Sequence, residues 1–270
     1  MTAIAVGLRL ALIVITLGCL WLFIAHPWWF PAGASSQAAA VDRGFKTAWW
    51  LLGVLFVSGQ LVLAWLLRRP RSSPVPGRNW RGSLGLEIGW IAVIAGIFFW
   101  FHFSGASTWS QIMASTAASG QFQVEVTGAQ FQWYFRYPGA DGIMGRVDAQ
   151  KFARPEEGNP LGIDPGDPAG RDDIVSSTLV LPVGRPVQLD LRAQDVIHSV
   201  FIPEMRFKQD AVPGMDIHSH LLPTQVGTYE IACAELCGLG HYRMRATVRV
   251  VSEQEFQQWL GSQRETGAAR

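Results

Sequence analysis

Cys233-Ala-Glu235-Leu-Cys237-Gly-Leu-Gly-His241-Tyr-Arg-Met244 is the stretch on which the reading of this chain turns, and His198 stands upstream of it in Asp195-Val-Ile-His-Ser. Thiolate, imidazole and thioether are the soft and borderline donors that hold copper for electron transfer, and a mononuclear blue-copper site uses one cysteine, two histidines and a weak methionine. Here a second cysteine is added. If two thiolates bridge a pair of metals, each metal still needs one imidazole and one weak axial donor. His198, His241, Met244 and one backbone carbonyl make up that number. A disulfide, the commoner state of two nearby thiols outside the cytoplasm, would need neither histidine. Zinc would leave Met244 without a role and ordinarily shows paired Cys-x-x-Cys units. Cys-x-x-Cys-His is absent from the sequence, which excludes covalent haem attachment through that motif.

Cys-x-Glu-x-Cys-x-x-x-His-x-x-Met with an upstream His resembles the dinuclear copper motif of the cytochrome c oxidase subunit 2 family, and the resemblance runs over roughly residues 45 to 262. It implies that Cys233 and Cys237 bridge both coppers, that His198 and Met244 complete one metal, and that the Glu235 carbonyl and His241 complete the other. It also implies a Mg²⁺ or Mn²⁺ held by the Glu235 carboxylate and shared with subunit 1. The partners implied are subunit 1 and the other oxidase subunits, cytochrome c or another small periplasmic electron donor, and the lipid bilayer.

Hydrophobic residues make up 49% of the 270 and charged residues 16%, a mixture that fits a membrane anchor joined to an extramembrane domain. The net charge of +1 gives no reason to expect nucleic acid. Three apolar runs, about Leu10–Phe30, Ala48–Leu67 and Glu87–Phe103, approach the ~20 residues needed to cross a bilayer core. Between the second and third lies Arg68-Arg-Pro-Arg71-Ser-Ser-Pro-Val-Pro-Gly-Arg78-Asn-Trp-Arg81, basic and without an acid, so the positive-inside rule makes it cytoplasmic. Everything after about residue 104 then faces the periplasm or its equivalent, and the expected location is the cell inner membrane, crossed several times. The first run, with Arg9 ahead of it and Ala-rich sequence up to Ala40 behind it, has features of a secretory signal. Its length and the Trp28-Trp-Phe30 belt favour a retained helix, one more than the family usually has. Cys19 within it reads as a small apolar residue.

Leu86-Glu87-Ile-Gly-Trp90 resembles the family's Leu-Glu-x-x-Trp, which makes Glu87 the candidate mouth of a proton path into subunit 1. Taken by itself, an acid at a helix start simply complements the helix dipole. The family's Thr and Pro after that Trp are absent.

From Gln121 the pattern changes to period two, as it does over Thr178–Val183, Val187–Leu191 and Ala246–Val250, which predicts half-buried strands between Gly- and Pro-rich turns. The expected class is an antiparallel β-sandwich, cupredoxin-like by the resemblance, behind two or three transmembrane helices. Ser252-Glu-Gln-Glu255 is a capping box that opens a closing helix through Phe256, Trp259 and Leu260. The expected division is an N-terminal apolar segment and linker (1–44), a transmembrane hairpin (45–104) and a copper domain (105–270) with a Gly-, Pro- and Asp-rich surface insertion at about 138–173.

Gly128-Ala-Gln-Phe131-Gln-Trp133-Tyr-Phe-Arg-Tyr137 resembles the family's aromatic strand over the copper, where a ring receives electrons from cytochrome c. That position is usually Trp; here it is Phe131, with Trp133 two residues on. Asp195, Glu204 and Asp210 mix with Lys208, Arg243 and Arg245, so the docking face is mixed in sign and a donor other than a basic cytochrome c is open. His218 and His220 share one face of a predicted strand, a spacing that can bind metal, with solvated histidines as the ordinary explanation.

The function implied by the resemblance is reception of electrons at the copper pair and their transfer to haem in subunit 1, where O₂ becomes water and protons are translocated. The alternatives are a copper-bearing subunit of a nitric oxide reductase and a membrane-tethered copper electron carrier without an oxidase partner.

Overall fold

The three apolar runs fold as helices α1 (Ala3–Ala25), α2 (Ala38–Leu66) and α3 (Leu84–Ala114). The computed structural model describes residues 3–25, 30–67, 83–114, 121–153 and 158–268; the Arg-rich stretch 68–81, His26 and Trp28-Trp29 lie outside them. Apart from a few charged residues, among them Asp42, Arg43 and Lys46 in the first turns of α2, the helices carry apolar side chains around their surfaces, leaving Leu17, Trp50, Leu63, Ile91 and Phe98 exposed. That is the signature of helices solvated by lipid, where all backbone polar groups must be satisfied within the helix. The stretches long and apolar enough to cross a membrane are Val6–Ala25, Ala38–Leu66 and Leu84–Ser110. All three helices outrun their apolar runs, α1 by starting at Ala3 ahead of Leu10. α2 starts earlier because Ala38-Ala-Ala is a strong helix former. α3 continues past Phe103 through a Ser/Thr-rich turn whose hydroxyls bond back to the helix, Thr108 Oγ1 to the Ser104 carbonyl at 3.1 Å and Ser110 Oγ to Ser107 at 2.9 Å.

Among the described residues beyond α3 come ten strands: β1 (Phe122–Ala129), β2 (Gln132–Tyr137), β3 (Ile174–Ser176), β4 (Thr178–Pro182), β5 (Val187–Ala193), β6 (His198–Ile202), β7 (Phe207–Ala211), β8 (Ile217–Leu221), β9 (Gly227–Cys233) and β10 (Arg245–Val251). They form two five-stranded sheets, ordered β3-β2-β1-β5-β8 and β4-β10-β9-β6-β7. The sheets are mixed, not antiparallel as expected: β1 runs parallel to β5, and β10 parallel to β4. Alternation reports which face of a strand is buried and carries no information on direction. Val124, Val126, Trp133, Phe135, Leu189, Leu191, Val200, Ile231 and Val248 fill the space between the sheets. Tyr137 ties them together, its hydroxyl donating to the Val180 carbonyl at 3.2 Å and accepting from the Val180 N–H at 2.7 Å. Burial pushes that phenol's pKa far up.

The capping box forms as expected: Ser252 Oγ accepts from the Glu255 N–H at 3.2 Å, and the Glu255 carboxylate accepts from the Ser252 N–H at 2.9 Å. It opens α4 (Glu253–Ala268), which buries Phe256 and Leu260 and stacks Trp259 edge-on against Tyr137, ring centroids 4.9 Å apart. Each large apolar side chain buried in this way contributes roughly 1.5–3 kcal/mol.

By backbone proximity the chain divides into residues 1–31 with 40–111, and residues 32–39 with 112–270. The connection between α1 and α2 thus belongs to the sandwich. Ala34 donates its N–H to the Glu204 carbonyl at 2.7 Å and accepts from the Thr224 N–H at 2.9 Å, while Ser35 Oγ donates to the Met205 carbonyl at 2.6 Å. The insertion also does more than lie on the surface. Arg136 of β2 is 1% exposed beneath it, bound to the Asp173 carboxylate and the Gly145 carbonyl, with Glu125 of β1 at 3.5 Å.

Candidate metal centre

Four elements deliver the thiol, imidazole and thioether groups singled out in the sequence to one end of the sandwich. His198 opens β6, Cys233 ends β9, Met244 immediately precedes β10, and the loop between β9 and β10 carries Glu235, Cys237 and His241. The loop is closed at its base by the Cys233 N–H donating to the Met244 carbonyl at 3.1 Å, and Ala234 N–H is held by the Ser199 carbonyl of β6 at 3.0 Å. Its two ends are therefore fixed by strand pairing, and the donor atoms inherit that rigidity.

Cys233 Sγ lies 3.9 Å from Cys237 Sγ, 4.0 Å from His198 Nδ1 and 3.2 Å from the Glu235 carbonyl oxygen. Cys237 Sγ lies 3.7 Å from both His241 Nδ1 and Met244 Sδ. His198 and Met244 are fully buried, while Cys233 and Cys237 are 9% and 2% exposed. Both cysteines are free thiols, their sulfurs well beyond a disulfide bond of about 2.05 Å. The 3.9 Å gap between them is less than twice a metal–thiolate bond of about 2.3 Å, so an ion lying off the sulfur–sulfur line reaches both, on either side of it. Two thiolates, two imidazoles and a thioether are a donor set that fits copper. Burial, reinforced by the Cys233 sulfur, pushes the Cys237 thiol up to about 11, so metal uptake at neutral pH must release its proton.

What surrounds these atoms was only partly foreseen. Asp195 reads in sequence as a docking acid, yet its Oδ1 accepts from His198 Nε2 at 2.8 Å and its Oδ2 from the Gln130 N–H at 2.7 Å. Burial raises this carboxyl, but the bonds from His198, Gln130 and Val196 outweigh it and hold it below the usual carboxylate range. Anchoring one ring nitrogen leaves Nδ1 of His198 as the lone-pair atom facing the sulfurs. Gln130 also donates Nε2 to the Cys237 carbonyl at 2.6 Å, so the β1–β2 turn clamps the loop. A signal existed for Asp195, an acid three residues before the histidine; none existed for Gln130. Gly128 must be glycine for packing reasons, since a Cβ there would meet the His198 ring at 2.9 Å.

Phe131 is 38% exposed, its ring pressed against Gly238 and Gly240 of the loop. Trp133 is 1% exposed, with its ring 5.8 Å from that of His198 in an edge-on arrangement. The side chain of Glu235 is exposed while its carbonyl faces the sulfurs. Leu236, Leu239 and Tyr242 on the same loop are also exposed. Asp210 pairs with Lys208 at 2.8 Å and Glu230 with Arg245 at 2.6 Å, which neutralises part of the charge read as mixed in the sequence. Glu87 lies in the first turn of α3, far along the chain from this cluster, its N–H donated to the Ser83 carbonyl at 3.0 Å.

Residues 122–251 match the family described as "Cytochrome C oxidase subunit II, periplasmic domain". The "Alternative cytochrome c oxidase subunit 2" of Bradyrhizobium diazoefficiens is 34% identical over 269 residues, covering 96% of this chain and 92% of that protein. The "Cytochrome c oxidase subunit 2" of Synechocystis is 28% identical over 298 residues, covering 93% and 80%. Among solved structures, the periplasmic domain of subunit II of cytochrome oxidase of Bradyrhizobium japonicum is 26% identical with a TM-score of 0.41, covering 55% of this chain and 97% of that one.

Proposed function

This chain belongs to the cytochrome c oxidase subunit 2 family, and on that premise we propose that its centre is a dinuclear copper site in the membrane-anchored, electron-receiving subunit of a haem-copper oxidase. The carrying observation is the convergence of the donors around two sulfurs 3.9 Å apart. Cys233 and Cys237 would hold both metals, with His198 and Met244 completing one and His241 and the Glu235 carbonyl the other. Bound there, copper supplies a one-electron carrier between a soluble donor and the haem of subunit 1, where O₂ is reduced and protons are moved by the complex. The protein's own contribution is to fix the donors on strand ends, to exclude water from the sulfurs and to orient the imidazoles.

Phe131 is the ring through which electrons arrive from cytochrome c or another small periplasmic donor, because it is exposed and packs on the metal loop, whereas Trp133 is enclosed. The exposed Glu235 carboxylate offers a hard oxygen ligand to a Mg²⁺ or Mn²⁺ shared with subunit 1. Glu87, at the start of the third membrane-length helix, is the mouth of a proton path into that subunit. The inner membrane is the compartment assigned, with the sandwich in the periplasm. In support of that topology, residues 32–39 and the chain beyond α3 fold into one unit and so share one side of the bilayer.

The reading is tested by purifying the complex from its native membrane in mild detergent. Two coppers per chain sharing one unpaired electron, with haem and O₂ reduction in the same fraction, is the expected result; zinc, or no metal, in the thiolate site overturns it. Asp195→Asn is expected to leave the domain folded while weakening copper retention about 10- to 100-fold, since an outer hydrogen-bond partner typically matters that much. Chelator competition on the copper-loaded chain checks this, and retention equal to the parent would mean that Asp195 does not position His198.

A further inference from the structure

We propose that His218 and His220 form a second metal site, a surface site for a borderline divalent cation such as Cu²⁺ or Zn²⁺, on the outer face of the sheet opposite the one that carries the thiolate cluster. Both sit on β8, the last strand in the order β3-β2-β1-β5-β8, where Ile217 and Leu221 point to the core and the two histidines point away from it. Residues two apart on a strand lie about 7 Å apart on one face, a spacing from which two imidazoles converge on a single ion.

The polar neighbours make this pair more than two solvated rings. His218 faces Asp190 of β5 across the strand pair, and His220 faces Gln188. His218 Nδ1 is bonded to Asp190 Oδ1 at 2.5 Å, and His220 Nδ1 to Gln121 Oε1 at 2.5 Å. Both acceptors are oxygens, which in a neutral imidazole favours the proton on Nδ1 and the lone pair on Nε2. An oxygen acceptor behind the ring is the arrangement that fixes tautomer and orientation in metal-binding histidines. Here it is built twice on adjacent outward positions. Asp190 is itself steadied by Gln188 Nε2 at 2.8 Å and adds a negative charge beside the pair. The nearest cation on β5, Arg192, is turned to Glu125 at 3.2 Å and Asp216 at 2.7 Å. Burial, partly opposed by Asp190, holds the His220 imidazole below its usual value, so near neutral pH it is in the ligand form. Two imidazole nitrogens with water in the remaining positions suit Cu²⁺, Zn²⁺ or Ni²⁺ and not Mg²⁺ or Ca²⁺.

The test uses the full chain in detergent, without a histidine tag and with its thiolate centre already loaded. Zn²⁺ is titrated calorimetrically, and Cu²⁺ is added in a parallel sample for paramagnetic resonance. Expected are one added cation per chain and a mononuclear Cu²⁺ signal coupled to two imidazole nitrogens. In His218→Gln and in His220→Gln, affinity should fall about tenfold or more, and Asp190→Asn should weaken it within the range typical of outer hydrogen-bond partners. The spectrum of the thiolate centre, unchanged throughout, reports that each variant is folded. No stoichiometric uptake, uptake undiminished in both histidine variants, or a Cu²⁺ signal with fewer than two imidazole nitrogens overturns the proposal. The last readout comes from the unsubstituted chain and so decides the matter even if a variant misfolds.

Discussion

Cys233→Ser is expected to convert the two-copper centre into a single-copper one and to stop electron transfer to the partner subunit, while the helices remain inserted and the sandwich remains folded. Cys233 Sγ faces Cys237 Sγ at 3.9 Å, His198 Nδ1 at 4.0 Å and the Glu235 carbonyl at 3.2 Å, while the His198, Cys233 and Cys237 donor atoms all lie within 4.8 Å of one another, so His198 stays within reach of the sulfur that remains. A serine oxygen is hard, retains its proton at neutral pH and is a poor bridge between soft metals. What remains is one thiolate, two imidazoles and a thioether, the donor set of a mononuclear blue-copper site. The measurement is copper stoichiometry with paramagnetic resonance: hyperfine structure from two equivalent copper nuclei in the parent, from one nucleus in the variant. The backbone has little reason to respond, because the Cys233 N–H bond to Met244 and the β9–β10 register do not involve the side chain. Two coppers persisting with an unchanged spectrum would overturn the ligand assignment.

That such a prediction can be drawn at all reflects how local the metal motif is. Cys233, Glu235, Cys237, His241 and Met244 fall within twelve residues, and only His198 had to be supplied by the fold, from the neighbouring strand β6. The membrane helices and the capping box were legible for the same reason, since each is decided by contiguous residues. What escaped depends on partners distant in the chain. Parallel pairing of β1 with β5 cannot be seen in either strand, whose alternation is the same for both directions. The docking of Ala34 and Ser35 on the sandwich is carried by backbone groups and one hydroxyl, which leave almost no pattern in a sequence. Asp195 is the instructive case. In the sequence it reads as an acid near the site, but the same carboxylate serves as a steering charge or as an imidazole anchor according to whether it faces solvent or the ring. Only the strand-end geometry decides that. Arg136 was likewise hidden, because a charged residue in an aromatic strand gives no sign that an insertion will close over it.

Arg136→Met is expected to be the most destabilising single substitution outside the metal site, by about 3–5 kcal/mol, because removing one partner of a buried charge cluster strands the others. The guanidinium is 1% exposed and holds Asp173, the Gly145 carbonyl and Glu125, while Arg192 reaches Glu125 from the other side at 3.2 Å. Burial raises the carboxyls of both Glu125 and Asp173, and Arg136 is a leading influence pulling each back down. Without it both rise further. A carboxyl whose folded pKa lies above its unfolded value binds more protons when folded, so the stability it leaves the protein falls as pH climbs through that window. The penalty of Arg136→Met should therefore be small in acid, where both carboxyls are protonated in either state, and should grow toward neutral pH. Denaturant unfolding of the copper-loaded chain, followed by loss of the copper spectrum at acidic and neutral pH, measures it. A further Asp173→Asn change in the same chain should recover part of the loss, since it removes the stranded charge and keeps the shape. If the penalty were the same at both pH values and Asp173→Asn gave nothing back, the cost would be one of packing beneath the insertion and not of a stranded charge.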